Sequence, residues 1–173
     1  GNWTGGSYAG AQGAAASNTN VATFNSGQTG NPIGINMNTA SLNLGGISVD
    51  NTRTTALNIS NSSTTSGILR LYGGTINSVA NTIVRNNGTG TLSFQTNANT
   101  LNFGLANSTE NIITIDNTGG ITINSVISDV ATAAKLTKTG TGSGVLQLTG
   151  LNTYTGLTTV SGGTLQLNRS AGT

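Results

Sequence analysis

Four acids, six bases and the absence of histidine and cysteine set the chemistry open to this 173-residue chain. The acids are Asp50, Glu110, Asp116 and Asp129, and the bases are Arg53, Arg70, Arg85, Lys135, Lys138 and Arg169. Without thiol or imidazole there is no thiolate nucleophile, no Ser–His pair, no zinc site of the usual N/S type and no disulfide framework. Carboxylate chemistry remains. Two carboxyl groups facing each other within about 10 Å can cleave a glycosidic bond, and only Glu110 and Asp116 lie close in sequence. Two acids with no aromatic or basic sugar platforms around them are too sparse for a lined cleft. No catalytic residue is assigned, and a carbohydrate-active or carbohydrate-binding protein stands as the alternative reading.

Other candidate sites reduce to architecture. A calcium repeat needs several Asp per turn, whereas Gly73-Gly74 and Gly119-Gly120 are followed by Thr-Ile and Ile-Thr. Those pairs read as turns, and no metal or cofactor is expected. Thr89-Gly90-Thr91, Thr137-Lys138-Thr139 and Thr153-Tyr154-Thr155 could match an ice lattice only as a flat array, and they fall at Gly-rich turns as often as on strands. Tyr154 is expected to cover a corner of the fold and Lys138 to reach solvent beside a strand. For Arg70 beside Tyr72, a cation–π contact and ligand recognition stay equally open. The Asn-x-Ser/Thr sequons at Asn2, Asn58, Asn61, Asn87, Asn107 and Asn168 signal no more than exposure.

Net charge is +2, and the sequence pI of 9.4 rests on those six scattered bases. No basic patch of the kind that nucleic acid demands is visible. No stretch approaches the roughly 20 apolar residues that span a bilayer. The chain opens at Gly1 with no basic-then-apolar leader, and the expectation is a processed or partial chain.

Charged residues make up 6% of the chain, against a usual share of about 25%. Thr, Asn, Ser and Gly fill the polar positions, a mixture poor in helix formers and rich in turn and strand formers. Only Val130 to Leu136, behind Asp129, could form a helical turn, and it reads as a loop. Elsewhere apolar residues recur at every second position: Leu42 and Leu44, Leu57 and Ile59, Leu69 and Leu71, Leu92 and Phe94, Leu101 and Phe103. The series continues through Ile113 and Ile115, Ile121 and Ile123, Leu146 and Leu148, and Leu165 and Leu167. Period two means short strands with one buried face, and strands that short must stack.

An antiparallel sandwich and a parallel solenoid compete, and three features favour the solenoid. Gly73 to Val79 resembles Gly119 to Val126, and Val145-Leu146-Gln147-Leu148 resembles Thr164-Leu165-Gln166-Leu167 about 19 residues later. Repetition near 20 residues suits a solenoid coil. Large residues are scarce, with aromatics at 4%, which suits a narrow lumen of Leu, Ile and Val, while Asn rows can bond along a stack at about 4.8 Å spacing. At roughly 20 to 24 residues per coil, about seven or eight coils are expected, with open strand edges at both ends.

The carboxyl end carries a resemblance. Leu136-Thr137-Lys138-Thr139-Gly140-Thr141-Gly142, then Val145 to Gly156 with Asn152 and Tyr154, then Thr158-Thr159-Val160-Ser161-Gly162-Gly163-Thr164-Leu165-Gln166-Leu167 resembles the autotransporter-associated β-strand repeat, also called the passenger-associated transport repeat. Ser143-Gly144 lengthens the first turn, and Leu157 stands where a second Gly is common. The resemblance covers residues 136–168, with weaker likeness over Ile112 to Asp129, and Asn2-Trp3-Thr4 with Val21 to Asn25 resembles the irregular segment that precedes the first coils in such proteins. It implies an all-β, right-handed parallel β-helix in a surface-exposed or secreted bacterial protein, many relatives being adhesins or matrix components.

The domain expectation is an irregular amino-terminal cap with first strands over 1–35 and solenoid coils over 36–173. The functional expectation is a non-enzymatic structural or adhesive solenoid, extracellular or on the bacterial surface. Its partners are other copies stacked head to tail into a fibre, or cell-surface or matrix glycans, with no nucleic acid and no membrane-spanning segment.

Overall fold

A computed structural model of the chain describes residues 11–12, 20–27, 33–35, 41–61, 66–95 and 101–168. Asn2-Trp3-Thr4 and Arg169 lie outside them. Strand β1 (Ala11–Gln12) precedes the first coil, formed by β2 (Val21–Phe24), β3 (Ile33–Ile35) and β4 (Ser41–Leu44). The second coil is β5 (Gly46–Val49), β6 (Leu57–Asn61) and β7 (Gly67–Leu71). After β8 (Gly74–Ile76), the third is β9 (Val79–Asn86), β10 (Leu92–Gln95) and β11 (Leu101–Leu105). The fourth is β12 (Asn111–Ile115), β13 (Ile121–Ile123) and β14 (Ile127–Asp129). The fifth has β15 (Leu136–Thr139) and β16 (Val145–Leu148), and the sixth β17 (Thr158–Val160) and β18 (Thr164–Leu167).

Each of the first four coils lays one strand on each of three faces and the fifth and sixth lay strands on two, each strand parallel to the one a coil earlier. Face 1 runs β2-β5-β9-β12-β15-β17, face 2 β3-β6-β10-β13-β16-β18, and face 3 β4-β7-β11-β14, with β1 antiparallel on β4. This is a parallel β-helix. The period-two pattern decides it, because the inward residues align from coil to coil. Leu57, Leu92, Ile121, Leu146 and Leu165 form one ladder, and Ile59, Phe94, Ile123, Leu148 and Leu167 the next. On face 3, Leu42, Leu69, Phe103 and Ile127 align. Every one of these residues below the last coil is buried.

Three sequence expectations change. The described residues form six coils rather than seven or eight, because the early coils are long: Ile47 pairs with Val84 and Val84 aligns with Ile113, whereas Leu146 pairs with Leu165 after 19 residues. The likeness of Gly73–Val79 to Gly119–Val126 does not carry equal roles. Asn77 and Ser78 have φ of 51° and 64° and close a tight hairpin between antiparallel β8 and β9, as two positive-φ residues in a row do. The second copy instead enters face 2 as β13. The lumen is not purely aliphatic either: Phe24, Phe94 and Phe103 are all buried, and the rings of Phe94 and Phe103 meet edge-on at 5.2 Å and 81°.

Of the stretch Val130 to Leu136, residues 130–135 form a turn, with Ala133 at φ 51°, and Leu136 opens β15. Asp129 Oδ1 accepts from the backbone N–H of Ala134 at 3.1 Å, closing that loop without a helix.

Candidate functional site

Glu110 and Asp116 sit at opposite ends of β12, so a strand rise of about 3.3 Å per residue puts them roughly 20 Å apart. That is beyond the reach of a glycosidase carboxylate pair. Glu110 Oε1 accepts from Thr137 Oγ1 at 2.7 Å, and Asp116 Oδ2 pairs with Arg85 Nε at 2.7 Å. Asp50 accepts from the N–H and Oγ1 of Thr52, and Asp129 Oδ2 from the N–H and Oγ1 of Thr155. Each acid thus braces a corner or a strand flank. Among the described residues no three of Asp and Glu gather around a common point.

The corner between faces 1 and 2 holds donors that sequence reasoning missed. Fully buried Asn86 ends β9; its Nδ2 donates to the carbonyls of Gly90, Gly119 and Gly120 at 2.9–3.1 Å, and its Oδ1 accepts from Gly88 N–H at 3.0 Å. One amide ties two coils. The glycines are required there, since a Cβ on Gly119 would press on the carbonyl oxygens of Gly88 and Gly90. Arg53, also buried, donates to the carbonyls of Asn25 and Ala56 in the same corner lower down, and burial lowers its guanidinium pKa from the usual arginine value. On the opposite flank of face 1, buried Asn111 donates to the carbonyls of Asn107 and Lys135 at 3.0 Å. Nothing in a single Asn-rich sequence separates these anchoring Asn from the many that face solvent. The Asn86-Asn87-Gly88 turn was the available signal.

Lys138 corrects its expectation outright. It lies on β15 in register with Ile113 below and Val160 above, in an inward ladder, and is 0% exposed. Its Nζ donates to the carbonyls of Thr139 at 2.7 Å and Gly162 at 3.1 Å. Burial lowers its pKa from the ordinary lysine value, and nearby Asp116 opposes that shift. Tyr154 meets its expectation: it packs against the core, and its hydroxyl lies 2.6 Å from Thr158 Oγ1. Asn61, read as an exposed sequon, is buried at the end of β6. Arg70 lies on face 3 with its Nε buried and unbonded. The three Thr-x-Thr units fall in a corner, on β15 and before β17, and form no single array.

Residues 149–157 replace a strand. Thr153 N–H donates to Ile127 carbonyl at 2.8 Å, as a parallel strand would, but the Ile127 N–H donates to the side-chain Oδ1 of Asn152 at 3.0 Å. An amide side chain stands in for a backbone carbonyl, so β14 is closed while face 3 stops.

Above that point lies the sixth coil. In the sixth coil Leu157, Val160 and Leu167 are 68%, 49% and 71% exposed, although Val160 and Leu167 extend ladders that are buried one coil below. From Thr139 to Asn168 there is no charged residue, so the β17 and β18 edges lack the charges that usually blunt an edge strand. At the other end Ala22 and Phe24 of the first coil are buried, and β1 pairs with β4.

These features define a parallel β-helix whose polar groups are spent on its own corners. The passenger-associated transport repeat family matches residues 136–167, from β15 to the end of β18. The chain therefore carries that repeat, which suggests an autotransporter passenger-type β-helix at the surface or secreted. Comparison with curated proteins and with solved structures finds no match. Among the described residues no helix is long and apolar enough to cross a membrane.

Proposed function

We propose that the chain is a non-enzymatic structural or adhesive element of a bacterial surface or secreted protein: a stiff β-solenoid segment whose partners are other copies stacked head to tail or cell-surface or matrix glycans. The observation that supports this reading is the passenger-associated transport repeat over residues 136–167, seated in a parallel stack whose acids and buried amides brace its own corners and strands.

Sedimentation velocity over a wide concentration range tests the self-association: growth into long assemblies with rising concentration is expected, and a monomer at all concentrations removes it. Protease treatment of intact producing cells, with release of the chain as the readout, tests the surface location.

A further inference from the structure

We infer that Lys138 is the register lock of the carboxyl-terminal coils: its ammonium admits the coil above only where that coil presents the Gly162 carbonyl beside Gly163, a residue with no Cβ.

The need for a lock follows from the sequence of the last coil. Side chains on a strand alternate, so a slip of one residue turns every apolar group outward and is forbidden by burial. A slip of two residues is different. It would place Leu167 beside Leu146 and Leu165 beside Gly144, so one of the two Leu–Leu pairs survives. With Leu165 only partly buried and Leu167 exposed, hydrophobic pattern separates these pairings by little. Below the fifth coil, corners with unlike lengths and the Asn86 hub fix the alignment. In the last coil the apolar residues are half-exposed and hold weakly.

Lys138 supplies the missing discrimination. It occupies a ladder position that Ile113 fills one coil down and Val160 one coil up. A cation there is tolerated only with acceptors at hand, and two of its three donors are used by one carbonyl of its own coil, Thr139, and one of the next, Gly162. The fit extends to the adjoining residue. Gly163 has φ +69°, and a Cβ placed on it would lie 2.8 Å from Lys138 Nζ. A two-residue slip brings another backbone carbonyl to the place of Gly162 but sets Ser161 or Leu165 where Gly163 stood, and a Cβ there presses on the buried ammonium. Buried polar groups are best attested in this role, setting register rather than adding stability. The lowered lysine pKa agrees with such a site, and the charged groups facing it are Asp116, with Arg85 paired to Asp116. This inference stands apart from self-association: it concerns contacts within one chain.

Lys138→Met, of similar length and apolar, keeps the ladder filled. The readout is hydrogen exchange and NMR of Ser161 and Asn168, whose amides donate to the Lys138 and Leu148 carbonyls, against Asp116 and Asn124, whose amides donate deeper in the stack. In the variant, Ser161 and Asn168 are expected to lose at least tenfold in protection and to give doubled resonances, while Asp116 and Asn124 are unchanged. Single resonances with wild-type protection at Ser161 and Asn168 would overturn the inference. A second measurement pairs Lys138→Met with Gly163→Ala. Gly163→Ala should reduce Ser161 protection several-fold more in the wild-type background than in the Met background. Equal reductions in both would also overturn it.

Discussion

Ile123 and Leu167 occupy the same inward ladder on face 2, two coils apart, and the account predicts that truncating them has very different consequences. Ile123 is 0% exposed between Phe94 and Leu148, whereas Leu167 is 71% exposed above Leu148. A buried Ile→Ala change removes the transfer energy and leaves a cavity, about 2–5 kcal/mol in total. Full burial of such a side chain is worth about 1.5–3 kcal/mol, so Leu167, keeping under a third of that burial, should lose about 0.5–1 kcal/mol. For a chain of this length about 3 kcal/mol corresponds to roughly 6–12 °C in Tm. Thermal melting of Ile123→Ala and Leu167→Ala by far-ultraviolet circular dichroism reads the contrast. Coil-by-coil hydrogen exchange should accompany it, because stacked repeats need not melt in one step. Equal losses in the two variants, or a loss below about 1 kcal/mol at Ile123, would refute the placement of these residues in one stacked ladder.

Three further outcomes follow. Asn86→Ala strands the carbonyls of Gly90 and Gly119 and the N–H of Gly88 and should cost about 2–4 kcal/mol in chemical denaturation, whereas Asn87→Ala, at a half-buried position, should cost less than about 1 kcal/mol. Gly119→Ala sets a methyl against the Gly88 and Gly90 carbonyls and should lower Tm by at least as much as Ile123→Ala; a neutral result would deny the close corner stacking. For Lys138, the native state gives up its proton below the unfolded value of 10.5, so between the two values the unfolded chain binds more protons and stability rises with pH. It is flat below the native value and flat again above 10.5, and Lys138→Met should remove this rise when Tm is compared from pH 7 to 11.

The alternating pairs were legible as strands because a lumen only two inward side chains wide per face leaves no other use for a Leu-x-Leu spacing. The stacking was legible at the carboxyl end, where Leu146 and Leu165 recur after 19 residues and do pair. The upstream repeat misled, because Asn77-Ser78 closes a hairpin that Asn124-Ser125 does not, and turn conformation is decided by two dihedral angles rather than by composition. Lys138 was misplaced for a related reason. Lys138 has the inward parity of Leu136, two residues before it, but the carbonyls that make burial tolerable come from Thr139 and Gly162, and the second belongs to the coil above. Glu110 and Asp116 illustrate the reverse: a six-residue spacing that reads as proximity becomes separation once the intervening residues are an extended strand. The half-exposed end could not be read from composition, since Leu165-Gln166-Leu167 has the same pattern as the buried Leu146-Gln147-Leu148.

The most direct measurement uses the outward row of face 2, in which Asn58, Ser93, Thr122, Gln147 and Gln166 stand side by side on five successive coils. The chain has no cysteine, so spin labels can be placed in pairs at Asn58→Cys with Gln147→Cys and at Asn58→Cys with Gln166→Cys, and read by pulsed dipolar spectroscopy. At about 4.8 Å per coil, the backbone separations are about 14 and 19 Å, and the second distribution should exceed the first by about 5 Å. Distances that fail to grow from Gln147 to Gln166, or a first distance beyond about 30 Å, would contradict coils stacked in register along one axis.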